Sequence, residues 1–279
     1  MEFTKMQGAG NDFLLIDGFK YNYEEIVPKI KNLCDRRFGV GGDGVMTALP
    51  SESCDVKMYY YNSDGSQGEM CGNGIRCFVK FVYEKGIVKK NFMKIETLAG
   101  IQTASLEINE KDEVEKIEIE IGNIKYNPAE IPVLVEGENA FNKKLEIDGQ
   151  EIIFSTVFLG VPHTVVFIEK EGQYDVNDIG SKMEVHPMFP KKTNVNFVLP
   201  VSDDEIKIFT WERGAGRTLA CGTGSSSAAL LSHKLKGLKN KIKVITEGGE
   251  LEVKILSDRV KLIGGAQITF EGTVNLEKY

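Results

Sequence analysis

Apolar and polar positions alternate at a period of two through most of this chain, and only a few stretches switch to helical spacing. Phe3 to Met6, Phe13 to Ile16, Val45 to Leu49, Val56 to Tyr61, Lys94 to Thr97, Ile101 to Ile108 and Val114 to Ile121 read as strands. A second series follows at Ile152 to Leu159, Thr164 to Ile168, Asn194 to Leu199 and Ile206 to Trp211. Four short strands close the chain: Lys241 to Thr246, Leu251 to Ile255, Val260 to Ile263 and Ile268 to Phe270. Helical spacing runs over Glu24 to Asp35 through Ile26, Val27, Ile30 and Leu33. It returns after Cys71 through Ile75, Phe78, Val79 and Val82, and over Val176 to Val185, which ends before Pro187. The helix after Cys221 is built from Ser225, Ser226, Ser227, Ala228 and Ala229 ahead of Leu230 and Leu231, small residues that let a surrounding sheet come close.

Two of the predicted helices start in the same way. Met70-Cys71-Gly72-Asn73-Gly74 and Ala220-Cys221-Gly222-Thr223-Gly224 each place a cysteine before Gly-x-Gly, and each cysteine follows the end of an alternating strand, at Asn62 or Glu212, by nine positions. One unit of strand, polar loop, cysteine and helix is thus used twice. Gly-x-Gly at a helix start leaves N–H groups pointing outward, where the partial positive charge of the terminus favours a carboxylate. The same field stabilises a thiolate, so a cysteine there can serve as a base near neutral pH. Two such units facing each other suit inversion at a carbon next to a carboxylate, one thiolate removing the α-proton and the other thiol delivering one to the opposite face.

The length of 279 residues suggests two domains, and the two prolines and weak periodicity of Gly122 to Pro132 mark the boundary. We therefore expect domains at 1–122 and 123–279. A net charge of −7 spread along the chain argues against nucleic acid or an anionic membrane as the main partner. The first residues lack a signal-peptide core and no apolar run is of bilayer length, so a cytoplasmic location is expected. Five cysteines (Cys34, Cys54, Cys71, Cys77, Cys221) show no disulfide or zinc spacing.

Gln7-Gly8-Ala9-Gly10-Asn11-Asp12 reads as a turn that could hold a ligand, and the loop Arg36 to Gly44 lacks the lysine and hydroxyl of a phosphate cradle. His163, after Pro162 in a turn between strands, could tune a thiol if it lies near one. Glu212-Arg213 at the strand end before Cys221 suit an ammonium and a carboxylate. His186 and His233 have no such context. A non-catalytic binding module and a thiol-disulfide enzyme are the competing classes, and the absence of Cys-x-x-Cys counts against the second.

Gly10-Asn11-Asp12-Phe13, Met70 to Arg76, Pro162-His163, Thr193 to Phe197, Glu212 to Gly216 and Ala220 to Gly224 resemble the diaminopimelate epimerase family, in the family's order along nearly the whole chain. The resemblance implies an α/β (α+β) fold of two pseudo-symmetric domains, each a curved mixed or antiparallel sheet wrapped round a central helix, with a cleft between them. The last strand, about 265–279, is a candidate to return to the first domain. No pyridoxal phosphate, metal or other cofactor is implied. By motif, Cys71 and Cys221 are the paired acid and base. Gly72, Asn73, Gly222 and Thr223 hold the α-carboxylate, while Asn11, Asn62, Asn194, Glu212 and Arg213 contact the remaining amino-acid groups. His163 and Glu212 tune the thiols. The implied reaction interconverts LL- and meso-diaminopimelate, for lysine and peptidoglycan synthesis, and a homodimer is one option for assembly. Three departures from the family pattern stand out: Val161 where an asparagine is usual, Arg217, and the run Ser225 to Ser227. Val161 and Arg217 leave open a racemase of another amino acid such as histidine, or an epimerase of a sulfur analogue such as lanthionine.

Overall fold

A computed structural model describes residues 1–257 and 259–279. The chain divides into two compact units, Met1–Glu120 with Ile263–Tyr279, and Ile121–Leu262.

The first unit carries strands β1 (Glu2–Gly8), β2 (Asn11–Asp17), β3 (Gly44–Leu49), β4 (Val56–Asn62), β5 (Gln67–Gly68), β6 (Phe92–Thr97), β7 (Gly100–Ile108) and β8 (Val114–Ile121). Its helices are α1 (Tyr23–Ile26), α2 (Ile30–Leu33) and α3 (Gly72–Glu84). The single helix expected over Glu24 to Asp35 is broken by a 3-10 turn at Val27–Lys29, because Pro28 has no N–H to continue the ladder. The chain's last strand, Gln267–Thr273, pairs antiparallel with β1. From there the sheet runs β1 to β2 antiparallel, β2 to β3 parallel, β3 to β4 antiparallel, β4 to β6 parallel and β6 to β7 antiparallel.

The second unit carries β9 (Ala140–Ile147), β10 (Gln150–Leu159), β11 (Val161–Phe167), β12 (Asn194–Pro200), β13 (Glu205–Glu212), β14 (Gly216–Thr218), β15 (Lys241–Thr246), β16 (Gly249–Ile255) and β17 (Val260–Gly264), with helices α4 (Val176–Glu184) and α5 (Gly222–Lys236). Its sheet follows the same succession. β9 to β10 and β10 to β11 are antiparallel, β11 to β12 parallel, β12 to β13 antiparallel, β13 to β15 parallel and β15 to β16 antiparallel. In that succession the closing strand, β18 (Gln267–Thr273), fills in the first unit the place of β9 in the second. The match holds to the residue: Phe13 opposes Gly44 as His163 opposes Asn194.

The internal helices are buried nearly all round, which is the signature of a core element. In α3, Ile75, Phe78, Val79 and Val82 are fully buried, and so are Arg76 and Cys77. In α5, Ser225 to Ser227 and Ala228 to Ala229 show no exposure, and Gly237 in left-handed conformation ends the helix by donating to Ser232 and His233 carbonyls. The sheets can close on these helices because the second glycine of each motif has no side chain. A Cβ on Gly74 would lie 1.9 Å from Met46 Cε, and one on Gly224 2.5 Å from Asn196 Oδ1. Close packing, more than approach to a ligand, is what these two glycines provide. Gly74→Ala should therefore lower stability by about 1–3 kcal/mol in urea unfolding, the usual cost of overpacking a core. Stability equal to wild type would show that Met46 moves away freely.

Candidate functional site

Each unit contributes one set of polar residues around a cysteine. In the first, Cys71 is the N-cap of α3 in extended conformation, and its Sγ accepts the Gly74 N–H at 3.4 Å. Sulfur takes the role usually played by a hydroxyl or carboxylate oxygen. Asn73, in the first turn, donates Nδ2 to Asn11 Oδ1 at 2.6 Å, and Asn11 donates Nδ2 to Asp43 Oδ2 at 3.1 Å. Asp43 and Asp12 are bridged by Arg36, and the buried Lys5 ammonium lies 2.8 Å from Asp12, so the Asp12 carboxyl is held well below the usual range against the effect of its partial burial. Asn62 at the end of β4 accepts from Tyr60 Oη at 2.6 Å and donates to Ser66 Oγ at 3.0 Å. The structure thus joins Asn11 to Asn73 directly, and it places Asn62 on the strand beside Gly44.

In the second unit Cys221 caps α5 in the same conformation, with the Gly224 N–H at 3.4 Å and Thr223 Oγ1 at 3.5 Å from its sulfur. Glu212, at the end of β13, accepts from Thr218 Oγ1 at 2.6 Å, and its carboxylate acts electrostatically on the Cys221 thiol. Burial first, and the Glu212 carboxylate second, push the Cys221 thiol well above its ordinary value, outweighing the N–H and hydroxyl contacts that lower it. Burial likewise raises Glu212. The expectation that a helix start makes a thiolate is reversed at Cys221, where desolvation and a facing anion exceed the field of the terminus.

Asn194 Oδ1 accepts the Arg213 N–H at 2.7 Å, and the Arg213 guanidinium donates to Lys191 O at 3.0 Å. The loop after β13 rests on Glu184, a buried carboxylate that the sequence reading missed. It accepts from Trp211 Nε1 at 2.8 Å, Gly214 N at 3.2 Å and Lys192 Nζ at 3.2 Å. Nothing in its sequence context, the last turn of α4, points to that loop. Val161, Pro162 and His163 belong to β11 and not to a turn, because Gly160 alone makes the hairpin after Leu159. His163 is fully buried with no hydrogen-bond partner at either ring nitrogen among the described residues. Burial, with a smaller contribution from Arg213, lowers it to about 3. Arg217 pairs with Glu247 at 2.7 Å. Among the described residues no three His, Cys, Asp or Glu side chains converge as metal ligands would, and no helix is long and apolar enough to cross a membrane.

The family model "Diaminopimelate epimerase" matches residues 3–126 and 155–269. A diaminopimelate epimerase of Desulfitobacterium hafniense is 42% identical over 278 residues, 98% of each chain. One of Clostridium perfringens is 42% identical over 277 residues, covering 98% of this chain and 99% of its own. Among solved structures, a PhzF family phenazine biosynthesis protein of Bacillus anthracis superposes with a TM-score of 0.72 at 16% identity, covering 99% of both chains. That likeness carries the fold alone.

Two measurements test this picture of the site. Glu212→Gln removes the anion facing Cys221, so iodoacetamide should alkylate Cys221 faster at a given pH than in wild type, read by mass spectrometry of its peptide. An unchanged rate would mean that burial alone holds the proton. His163 is neutral when folded and protonates freely when unfolded, so the unfolded state binds more protons below about pH 6.5. Its contribution to stability is whole above that pH and is lost on descending toward 3. Relative to His163→Leu, wild type should lose up to about 1.4 kcal/mol per pH unit over that window in urea titrations. Parallel curves would place a proton-accepting partner at the ring.

Proposed function

The chain belongs to the diaminopimelate epimerase family, and on that premise we propose that it interconverts LL- and meso-diaminopimelate with Cys71 and Cys221 as a thiolate and thiol pair. The observation that carries the reading is the duplicated cap: each cysteine sulfur holds the first turn of a buried helix through the N–H of the second glycine. A thiol so placed is rigid, and the N–H groups around Gly72, Asn73, Gly222 and Thr223 suit the carboxylate on the reacting carbon. One thiolate takes the α-proton as the C–H electrons pass toward that carboxylate. The other thiol then gives its proton to the opposite face, and the two sulfurs exchange protonation states. The reverse reaction starts from the other sulfur.

The remaining residues fit a substrate with a second amino-acid end. Asn11, Asn62, Asn194 and Arg213 offer side-chain donors, and Glu212 supplies the negative charge that suits an ammonium as well as tuning Cys221. With Asn194 Oδ1 committed to the Arg213 N–H, its free edge is the N–H₂ edge, which suits a carboxylate. His163, buried and neutral, has neither ring nitrogen engaged among the described residues, which suits a role in tuning a thiol. Arg217 is engaged by Glu247, so this departure from the family pattern adds no unpaired cation for a different substrate. Val161 opens β11 half-buried and supplies no hydrogen bond, which leaves the remaining donors to read the distal group.

Cys71→Ala and Cys221→Ala should each lower epimerisation by at least about 10²-fold, the low end of what a positioned acid or base contributes. The assay is α-proton exchange by NMR in deuterated buffer with reductant. LL- and meso-diaminopimelate should exchange and interconvert, with lanthionine slower and histidine inert. Exchange of histidine with diaminopimelate inert would overturn the substrate, and full activity in either alanine variant would overturn the two-thiol mechanism.

A further inference from the structure

Superposing the repeat on the sequence pairs Cys71 with Cys221, Asn62 with Glu212 and Arg76 with Ser226, each pair holding the same place in its unit. The last pair makes the same bond. Arg76 Nη1 donates to the carbonyl of Gly72 at 2.9 Å, and Ser226 Oγ donates to the carbonyl of Gly222 at 2.9 Å. Both side chains are fully buried. One carries a positive charge and the other none. The neutral Asn62 and the acidic Glu212 complete an opposite pattern: the first unit has a cation and no acid at these places, the second an acid and no cation.

Among the described residues Arg76 has no carboxylate within ion-pair distance. Its other bonds go to Asn73 Oδ1 at 3.0 Å and to Gly265 O at 3.3 Å, from the segment before β18. A fully buried guanidinium satisfied only by neutral oxygens keeps its charge uncompensated, which is costly in a medium that screens poorly. The titratable groups in its field are the thiols of Cys77 and Cys71. Cys77 is buried and pushed up to about 12, so it stays protonated through the neutral range. Cys71, partly exposed at the helix start and next to the Gly72 carbonyl that Arg76 holds, is placed to supply an anion. Beyond Asn73 and Asn11 lie Asp43, Asp12, Arg36 and Lys5, two acids and two bases whose charges balance.

The guanidinium also gives the amide chain a direction. Arg76 can only donate, so Asn73 turns its oxygen inward and its Nδ2 to Asn11. Asn11 then turns its own Nδ2 to Asp43, which can only accept. Flipping either amide would set donor against donor or oxygen against oxygen.

We propose that Arg76 is a positioning residue that makes the two cysteines unequal, giving Cys71 a buried countercharge as thiolate and fixing the Asn73–Asn11 amides, while Cys221 beside Glu212 rests as the thiol. This rests on the reading of Cys71 and Cys221 as the acid and base pair. The free enzyme is then ready to take a proton at Cys71, and the opposite state is reached through turnover.

The test is the pH dependence of Cys71 alkylation by iodoacetamide in the full chain, followed on the Cys71 peptide by mass spectrometry. It needs no substrate, so its outcome is separate from that of the alanine variants. In wild type the Cys71 midpoint should fall below about 8.5, the ordinary thiol value. Arg76→Ser, which copies the second unit, should raise that midpoint by about one unit, a tenfold slower alkylation at neutral pH. It should also move the acid limb of the kcat/KM profile upward by the same amount. Arg76→Lys keeps the charge and loses the fork, so its midpoint should stay near wild type while KM rises. A folded Arg76→Ser variant with the wild-type midpoint overturns the proposal. Should that variant fail to fold, a wild-type midpoint at or above the ordinary value, or an Arg76→Lys midpoint shifted as far as a neutral residue would shift it, overturns it equally.

Discussion

A cysteine sulfur accepting a backbone N–H at the first turn of a buried helix is the contact on which each unit depends. Helices enclosed on all sides must find partners for their first N–H groups inside the protein. Here the cap is a weak acceptor at 3.4 Å in both units. A weak cap leaves the terminus short of negative charge, and that same deficit is what draws an anion to it. The second glycine is bound to this arrangement, since it both donates to the sulfur and admits Met46 or Asn196 against the helix. Structural and chemical demands fall on one residue, so neither can be relaxed alone.

Duplicating such a unit produces two like thiols, whereas inversion needs one to give a proton while the other takes it. The difference arises from a few substitutions on an otherwise shared frame. Asn62 against Glu212 and Arg76 against Ser226 change charge without changing the strand order, the register or the bond to the first helical carbonyl. Electrostatics at short range in a dry interior are strong enough for a single buried charge to decide a protonation state. The backbone supplies the symmetry and the side chains break it.

Most strands, both long central helices and the cysteine repeat were legible because period-two runs and a twice-used motif are local signals. β9 was not. Ala140, Leu145 and Ile147 are its buried positions, with Lys143 and Lys144 between them and Asn142 at positive φ, so the alternation is spoiled where the strand bends. The same stretch falls between the two matched segments of the family model. β5 and β14 were missed because two or three residues carry no period. Glu184 was hidden for another reason: its partners are Trp211 and Gly214, remote in sequence, and a carboxylate in a last helical turn looks like solvent-facing polarity. Arg76 stood inside the motif in plain view, but only burial without an acid gives it meaning.

The closing strand adds an order of events. In the second unit every strand from β9 to β16 lies between residues 140 and 255, whereas β1 in the first unit acquires one of its two neighbours only from Gln267–Thr273. Contacts spanning nearly the whole chain are slow to form and come last during synthesis. Gly265, in the segment leading to that strand, is also one of the three acceptors of the Arg76 guanidinium among the described residues. A buried arginine missing an acceptor is poorly held, so the charge beside Cys71 is firmly seated only when the C-terminal segment docks. Cys71 thus takes its final environment as the last strand closes the sheet, so the charge proposed to act on it is completed together with the fold.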